Sequence, residues 1–337
     1  MDIQNNKAYS FVPLKGYEHF EATTQIIIGE ILKRELPFEI IDPENNLIAV
    51  YHNNKEYIIH EGTISDANSL IAFWISNDKW MTKQILARHD ISYAKGILLK
   101  NDITDNELEK PDIFPAVVKP MNTDHGIAVT TNIQNKEEMK EAINQAFGHS
   151  DKVIVEEYFP GREYRFLVID FNVRAIAYRE PANITGNGQD NIQELISRKN
   201  QNRGDDYTHP LLKIKIDHEV KRNLNAFNLT LNSIPSEGEK IYLRSNSNLS
   251  TGGDSIDITD DMPEFYKKTA EKAARAAGLK IAGIDIVIRD IERPPTGKNY
   301  IVVELNAPAM LSMHDFPYIG QNRHVEKHVL DCILNAK

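Results

Sequence analysis

The chain has 337 residues, 41% of them hydrophobic and 26% charged, with a formal net charge of −10. That length gives core enough for two or three packed subdomains, and the acidic balance argues against a nucleic-acid-binding surface while leaving room for a local basic cleft. The single cysteine, Cys332, excludes an intramolecular disulfide and fits a reducing compartment.

The N-terminal residues lack the basic start and apolar core of a signal peptide, and no segment approaches the ~20 apolar residues that span a bilayer, so a cytoplasmic protein is expected. Residues 19–35 (HFEATTQIIIGEILKRE) read as a helix, followed by short strands at 37–41, 47–51 and 55–59. Asn53-Asn54, between the last two, reads as a tight hairpin turn. Two helices follow at 66–75 and 78–89, the second opened by Asp78 as N-cap.

From about residue 90 the pattern alternates, with strands at 114–119 and 128–133, a helix at 136–147 and a strand at 153–158 (VIVEEY). Segments 163–169 and 173–178 form an expected antiparallel pair joined at 170–172. Polar residues 182–210 make a long excursion around a helix at 191–199, and a loop of this size inside a domain is as a rule functional or mobile. Then come a strand at 240–244, a loop at 245–254, a helix at 263–277, strands at 281–290 (IAGIDIVIRD) and 300–309 (YIVVELNAPA), a loop at 310–322 and a helix at 323–335. Antiparallel strands dominate, so a doubly wound sheet is not expected.

The last two strands carry the strongest chemical signal. Asp285 interrupts Ile-Asp-Ile-Val-Ile, and Glu304 and Asn306, two apart, point to one face of a strand. Buried carboxylates are costly unless paired or metal-bound; two carboxylates and an amide suit Mg²⁺ rather than zinc, with a structural ion pair as the alternative. Lys119 leaves an apolar strand beside the turn-like stretch 122–126, where lysine and backbone N–H groups can cradle phosphates; an ordinary hairpin is the alternative.

Glu156-Glu157-Tyr158 and Glu163 flank a strand end that can read an adenine edge and ribose hydroxyls, or they are solvated edge charges. Arg244 precedes a loop rich in hydroxyls, amides and glycines, suited to an oxyanion or carboxylate. There Gly252-Gly253 implies close backbone approach, and a plain solvent loop is the alternative. His314 is a ligand, structural or substrate-facing candidate. His125, His314 and Cys332 have no zinc-site spacing, and no Gly-x-Ser-x-Gly nucleophile motif is present.

Taken in order, Lys79 in NDKWMTK, Lys119 in VVKP, the Gly126 loop, VEEY with Pro160-Gly161-Arg162-Glu163, Asp285, and Glu304-x-Asn306 resemble the ATP-grasp superfamily. LRSNSNLSTGGDSIDIT (243–259), AGIDIVI (282–288) and VVELNAPAMLSMHDFPYIGQNR (302–323) look like the glutathione synthetase module of bacterial bifunctional glutamate–cysteine ligase/glutathione synthetases. YREPANITGNGQDNIQELI (178–196) is also similar to the ATP-grasp part of cyanophycin synthetase. The likeness runs from about residue 20 to the end.

The resemblance implies an α+β ATP-grasp fold in which two subdomains, 81–158 and 159–337, grip ATP behind a small α/β unit at 1–80. It implies Lys79, Lys119 and Gly126 at the phosphates. Glu156, Glu157, Tyr158 and Glu163 would surround adenine and ribose, and Asp285, Glu304 and Asn306 would hold Mg²⁺, with Mn²⁺ as the alternative. Catalytic arginines would be Arg244 and Arg165, with Ser247, Asn248, Ser250, Gly252, Gly253 and His314 toward substrate.

The implied activity is ligation of a carboxylate to an amine through an acyl-phosphate, with γ-glutamylcysteine and glycine leading. A dipeptide or cyanophycin-like ligase is the alternative, and a non-catalytic nucleotide-binding regulator the third reading. Small amino-acid or peptide substrates are expected, no nucleic acid or membrane partner, and a homodimer as one option. The Gly126 loop and 182–210 are the expected lids. Only about eighty residues precede the expected core, so no glutamate–cysteine ligase half is expected. Ala307, Ala309 and Asn187 depart from the family pattern and leave room for a diverged acceptor pocket.

Overall fold

In the computed structural model, which describes residues 11–102, 112–123 and 127–336, the elements begin with α1 (Ala22–Lys33), β1 (Phe38–Asp42), β2 (Leu47–His52), β3 (Lys55–His60), α2 (Leu70–Asn77), α3 (Lys79–Arg88), β4 (Gly96–Lys100), β5 (Ala116–Pro120) and β6 (Thr130–Ile133). They continue with α4 (Lys136–Phe147), β7 (Lys152–Glu157), β8 (Arg162–Ile169), β9 (Asn172–Glu180), β10 (Asn183–Thr185), α5 (Ile192–Asn200), α6 (His218–Ala226) and β11 (Lys240–Tyr242). Last come β12 (Asp254–Asp257), α7 (Glu264–Ala277), β13 (Ile281–Ile288), β14 (Tyr300–Asn306), α8 (Ser312–Asp315) and α9 (Glu326–Leu334). No described helix is long and apolar enough to cross a membrane.

Local chemistry explains several boundaries. Asn53 and Asn54 both take positive φ, 52° and 59°, the left-handed pair that a two-residue hairpin needs to match strand twist. The Asp78 side chain accepts from the N–H groups of Trp80 and Met81 and starts α3 as expected. Helix α7 buries Tyr266, Ala270, Ala273, Ala274 and Ala277 on one stripe and stops at Gly278, whose φ is 74°.

The strands form four sheets, ordered β1-β2-β3, β4-β7-β5-β6, β10-β11 and β12-β9-β8-β13-β14. The five-stranded sheet has two unlike faces. One packs Phe166, Val168, Ile176, Ile284 and Ile286 against α7. At one end of the other face, Leu167, Ile169, Ala175 and Ile281 join a core shared by α1, α9 and the first sheet. At its other end the same alternation presents Glu163, Arg165, Arg179 and Asp285.

Two expectations are corrected. Strand β4 was not foreseen; it pairs with β7, Gly96 lying opposite Glu156. The excursion is a folded unit, not an open loop: β10, β11, α5 and α6 enclose Ile184, Ile192, Leu195, Ile196, Val220, Leu224 and Ile241 in a core of their own.

Candidate functional site

A β-bulge sets the site. In β14, Val302 faces Ile286 and Glu304 faces Asp285, so one extra residue, Val303, is accommodated between them. Without it Val302 and Glu304, two apart, would share a face. With it Val302 stays in the α7 core while Glu304 and Asn306 turn to the charged face, opposite Asp285 and Gly283. Gly283 has a further reason to be glycine: a Cβ there would lie 2.6 Å from Cδ of Arg165, which crosses it.

Asp285 is 2% exposed and carries a dense set of partners. Arg165 grips both its oxygens, Nε on Oδ1 and Nη2 on Oδ2 at 2.8 Å. Arg179 donates to Oδ2 at 3.0 Å and the Asn306 amide at 3.3 Å. Burial alone would raise this carboxyl's pKa, but the two guanidinium groups outweigh it and hold it below the usual range.

Glu304 behaves in the opposite way. Burial and then the Asp285 charge push its pKa up, and its ion-pair partner, Lys79 Nζ, lies 3.8 Å away. Lys79 also donates to the carbonyls of Met121 (3.4 Å) and Thr123 (2.8 Å), tying α3 to the chain after Lys119.

Arg179 is the principal residue that sequence reasoning missed. It contacts Asp285, Glu163 Oε1 (3.2 Å), the Ser247 carbonyl (3.3 Å) and Asn248 Oδ1 (3.0 Å). The available signal was its alternation with Ala175 and Ala177, an arginine in phase with small buried residues. Glu163, expected at a ribose, is engaged by Arg179 and by the Ser247 hydroxyl.

The other expected residues are placed as follows. Lys119 Nζ sits 2.8 Å from Glu156 Oε1, and Lys83, also missed, 2.6 Å from Oε2; so Glu156 serves two lysines and is 4% exposed, rather than facing a sugar. Glu157 accepts from the Lys95 N–H, and the Tyr158 N–H is taken by the Pro115 carbonyl.

Arg244, 4% exposed, pairs with Asp217 and Glu219 at the start of α6 and so braces the loop that follows it. Ser250 meets the Tyr207 side chain. The glycines do mark close approach, but to the chain itself: a Cβ on Gly252 would lie 2.5 Å from Ile214 Cγ1, and one on Gly253 2.9 Å from the Asn248 carbonyl oxygen.

His314 is buried on α8, and burial, then Arg165, push its pKa down to about 3, so it is neutral. Gly126 and His125 lie outside the described residues. Ala307 and Ala309, 4% and 1% exposed, pack in the two cores.

Among the described residues no group of three or more His, Cys, Asp or Glu side chains is arranged to hold a metal. The candidate set is two carboxylates and an amide, hard oxygen donors, and the raised Glu304 beside Asp285 is an imbalance that a divalent cation would relieve.

Residues 88–231 match the family model described as D-ala D-ala ligase C-terminus, and residues 18–71 match the ATP-grasp-like domain. The chain is 39% identical over 339 residues to the glutathione biosynthesis bifunctional protein GshAB of Clostridium perfringens, which covers 98% of this chain and 43% of the relative. It is 34% identical over 325 residues to the protein of the same name from Desulfotalea psychrophila, covering 94% and 42%. A solved bifunctional glutathione synthetase from Pasteurella multocida superposes with a TM-score of 0.77 at 30% identity, over 96% of this chain and 45% of that one. The chain therefore spans less than half the length of these relatives. The α+β architecture, the two family matches and these likenesses over nearly all of this chain lead to one statement: the chain belongs to the ATP-grasp superfamily and is closely related to the bacterial bifunctional glutathione synthetases.

Proposed function

We propose that this chain is an ATP-dependent carboxylate–amine ligase that makes an amide bond through an acyl-phosphate, with γ-glutamylcysteine as acyl donor and glycine as amine. Relatives named for glutathione biosynthesis support the substrate class. The observation that carries the reading is the bulged register that turns Glu304 and Asn306 toward Asp285, with Lys79 reaching Glu304 from α3.

Superfamily membership implies ATP and Mg²⁺. Glu304 and Asn306, with Asp285 beside them, would hold the ion, which when bound would neutralise phosphate charge. Lys79 and Lys119 would hold the phosphates, while Glu157, Tyr158 and Glu163 would flank the adenosine. Arg165 and Arg179, fixed by Asp285 and Glu163, present positive charge where the carboxylate attacks the γ-phosphate and phosphate later leaves; positioning and charge stabilisation are what such transfer needs. Arg244 contributes by bracing the loop that carries Ser247 and Asn248. A neutral His314 beside Arg165 leaves that guanidinium charge undiminished.

The test is phosphate release from ATP by the purified chain, with products identified by mass spectrometry. Release that requires both γ-glutamylcysteine and glycine, with the tripeptide as product, is expected. No stimulation by any donor–acceptor pair in a panel of dipeptides and amino acids overturns the reading.

A further inference from the structure

Helix α3 carries two lysines one turn apart that reach different partners. Lys79 turns to Glu304 and the chain after Lys119, whereas Lys83 is 3% exposed and points into the four-stranded sheet. Its ammonium lies 2.6 Å from Glu156 Oε2, donates to the Ala94 carbonyl at 2.6 Å, and sits 5.6 Å from the centre of the Tyr93 ring. Lys119 takes the other oxygen, Oε1, at 2.8 Å. One carboxylate thus stands between two ammonium groups, every member nine-tenths or more buried. Burial pushes the Lys83 pKa down and the Glu156 charge opposes it; burial would raise Glu156, but Lys119 and Lys83 prevail and keep it ionised.

The two lysines are not equivalent. Lys83 rests on three fixed groups: a carboxylate, a carbonyl and a ring. Among the described residues, Lys119 meets Glu156, and it stands at the end of β5, where the chain turns into the loop that Lys79 holds. A buried carboxylate that loses its partner is strongly penalised.

We infer that Lys83 is a positioning residue for nucleotide binding: it stays on Glu156 as a permanent counter-ion, so that Lys119 can turn from Glu156 to an incoming phosphate without stranding a buried negative charge. This rests on the ligase reading for the role of Lys119. No bond is made or broken; the counter-ion pairing is redistributed.

The test is calorimetric binding of ATP, with Mg²⁺ present and no other substrate, to the whole chain and to Lys83→Met, Glu156→Gln and the double variant. Lys83→Met is expected to weaken ATP binding by about tenfold or more, because Glu156 then retains Lys119. Glu156→Gln should bind at least as tightly as the parent, and the double variant should return to within about threefold of it. Parent-like binding by Lys83→Met, or a double variant as weak as Lys83→Met, overturns the inference.

If Lys83→Met does not fold, the double variant, in which Lys119 lacks its carboxylate just as it does in Glu156→Gln, is compared with Glu156→Gln alone. Equal affinities support the inference, and a tenfold loss in that background overturns it. A parent chain that binds no ATP overturns the ligase reading and this inference together, whereas a binding parent with an unaffected Lys83→Met overturns the inference alone.

Discussion

Asp254 and Asp285 are two buried aspartates built alike. Asp254, 0% exposed, is held by Lys199 at 2.6 Å, by Arg203 and by the Asn183 amide at 3.0 Å. Asp285 is held by Arg165, Arg179 and the Asn306 amide. What differs is the second layer. Arg203 Nη1 also donates to the carbonyls of Leu212, Gly252 and Gly253, stapling the 183–243 unit to the start of β12. Around Asp285 the charges do not close: Glu304 is left with a distant lysine and a raised pKa. A buried ion pair alone does not mark a site; the uncompensated neighbour does.

That contrast can be broken at either aspartate. The largest effect is expected from Glu304→Gln, which should lower ATP-dependent phosphate release on the order of 10²–10³-fold. Its thermal unfolding temperature should hold or rise, because the fold already disfavours the charged form. A Glu304→Gln enzyme with undiminished turnover sinks the proposed site. Asp254→Asn should do the reverse, costing about 3 kcal/mol of stability in denaturant titration through two stranded cations. The activity of its folded fraction should change little; loss of activity without loss of stability would make Asp254 part of the site.

The pH dependence of stability tests the neighbouring pair on α8. Asp315 is raised to about 8 by burial and by Glu326, above its unfolded value near 3.8. Its contribution is therefore fully present at low pH and lost as pH rises toward 8. His314 is depressed to about 3, so its contribution is present above its unfolded value of 6.5 and lost as pH falls. Asp315→Asn should flatten the loss of melting temperature as pH rises from about 4 to about 8, and His314→Gln the loss as pH falls from about 6.5 to about 3; swapped effects refute the assignments. The smallest effect is expected at the rim of the excursion: Asp190→Asn removes a pair with Arg198, whose side chain is 63% exposed, and should shift stability by less than about 0.5 kcal/mol in the same titration.

Patterns that are local in the chain are legible in the sequence. The helix at 136–147, the Asn53-Asn54 hairpin and the Asp78 cap each depend on residues within one turn, and each stands where it was read. Strand β4 escaped because its hydrogen-bonding partner, β7, lies over fifty residues away and GILLK shows no alternation of its own. Helix α6 escaped because its apolar stripe is just Val220 and Leu224. The grouping of Asp285, Glu304 and Asn306 was readable from strand position, since carboxylates among β-branched residues are conspicuous. The pairing was not: Arg179, Lys83, Asp217 and Glu219 are types that usually face water, and only the fold shows which charge each one answers.

The extra residue at Val303 works like a frameshift in a two-letter code. Upstream of it, even-numbered side chains of β14 are written toward the core, and downstream they are written toward the proposed ATP. Inserting or deleting one residue within 300–306 would exchange those audiences, sending a carboxylate into the apolar layer or a valine toward phosphate. The mostly exposed stretch at 292–298 carries no such alternation and tolerates a change of length better, apart from the Arg293 carbonyl that Tyr266 and Asn299 hold. Natural length variation around this strand should therefore gather in that loop and stop abruptly at Tyr300.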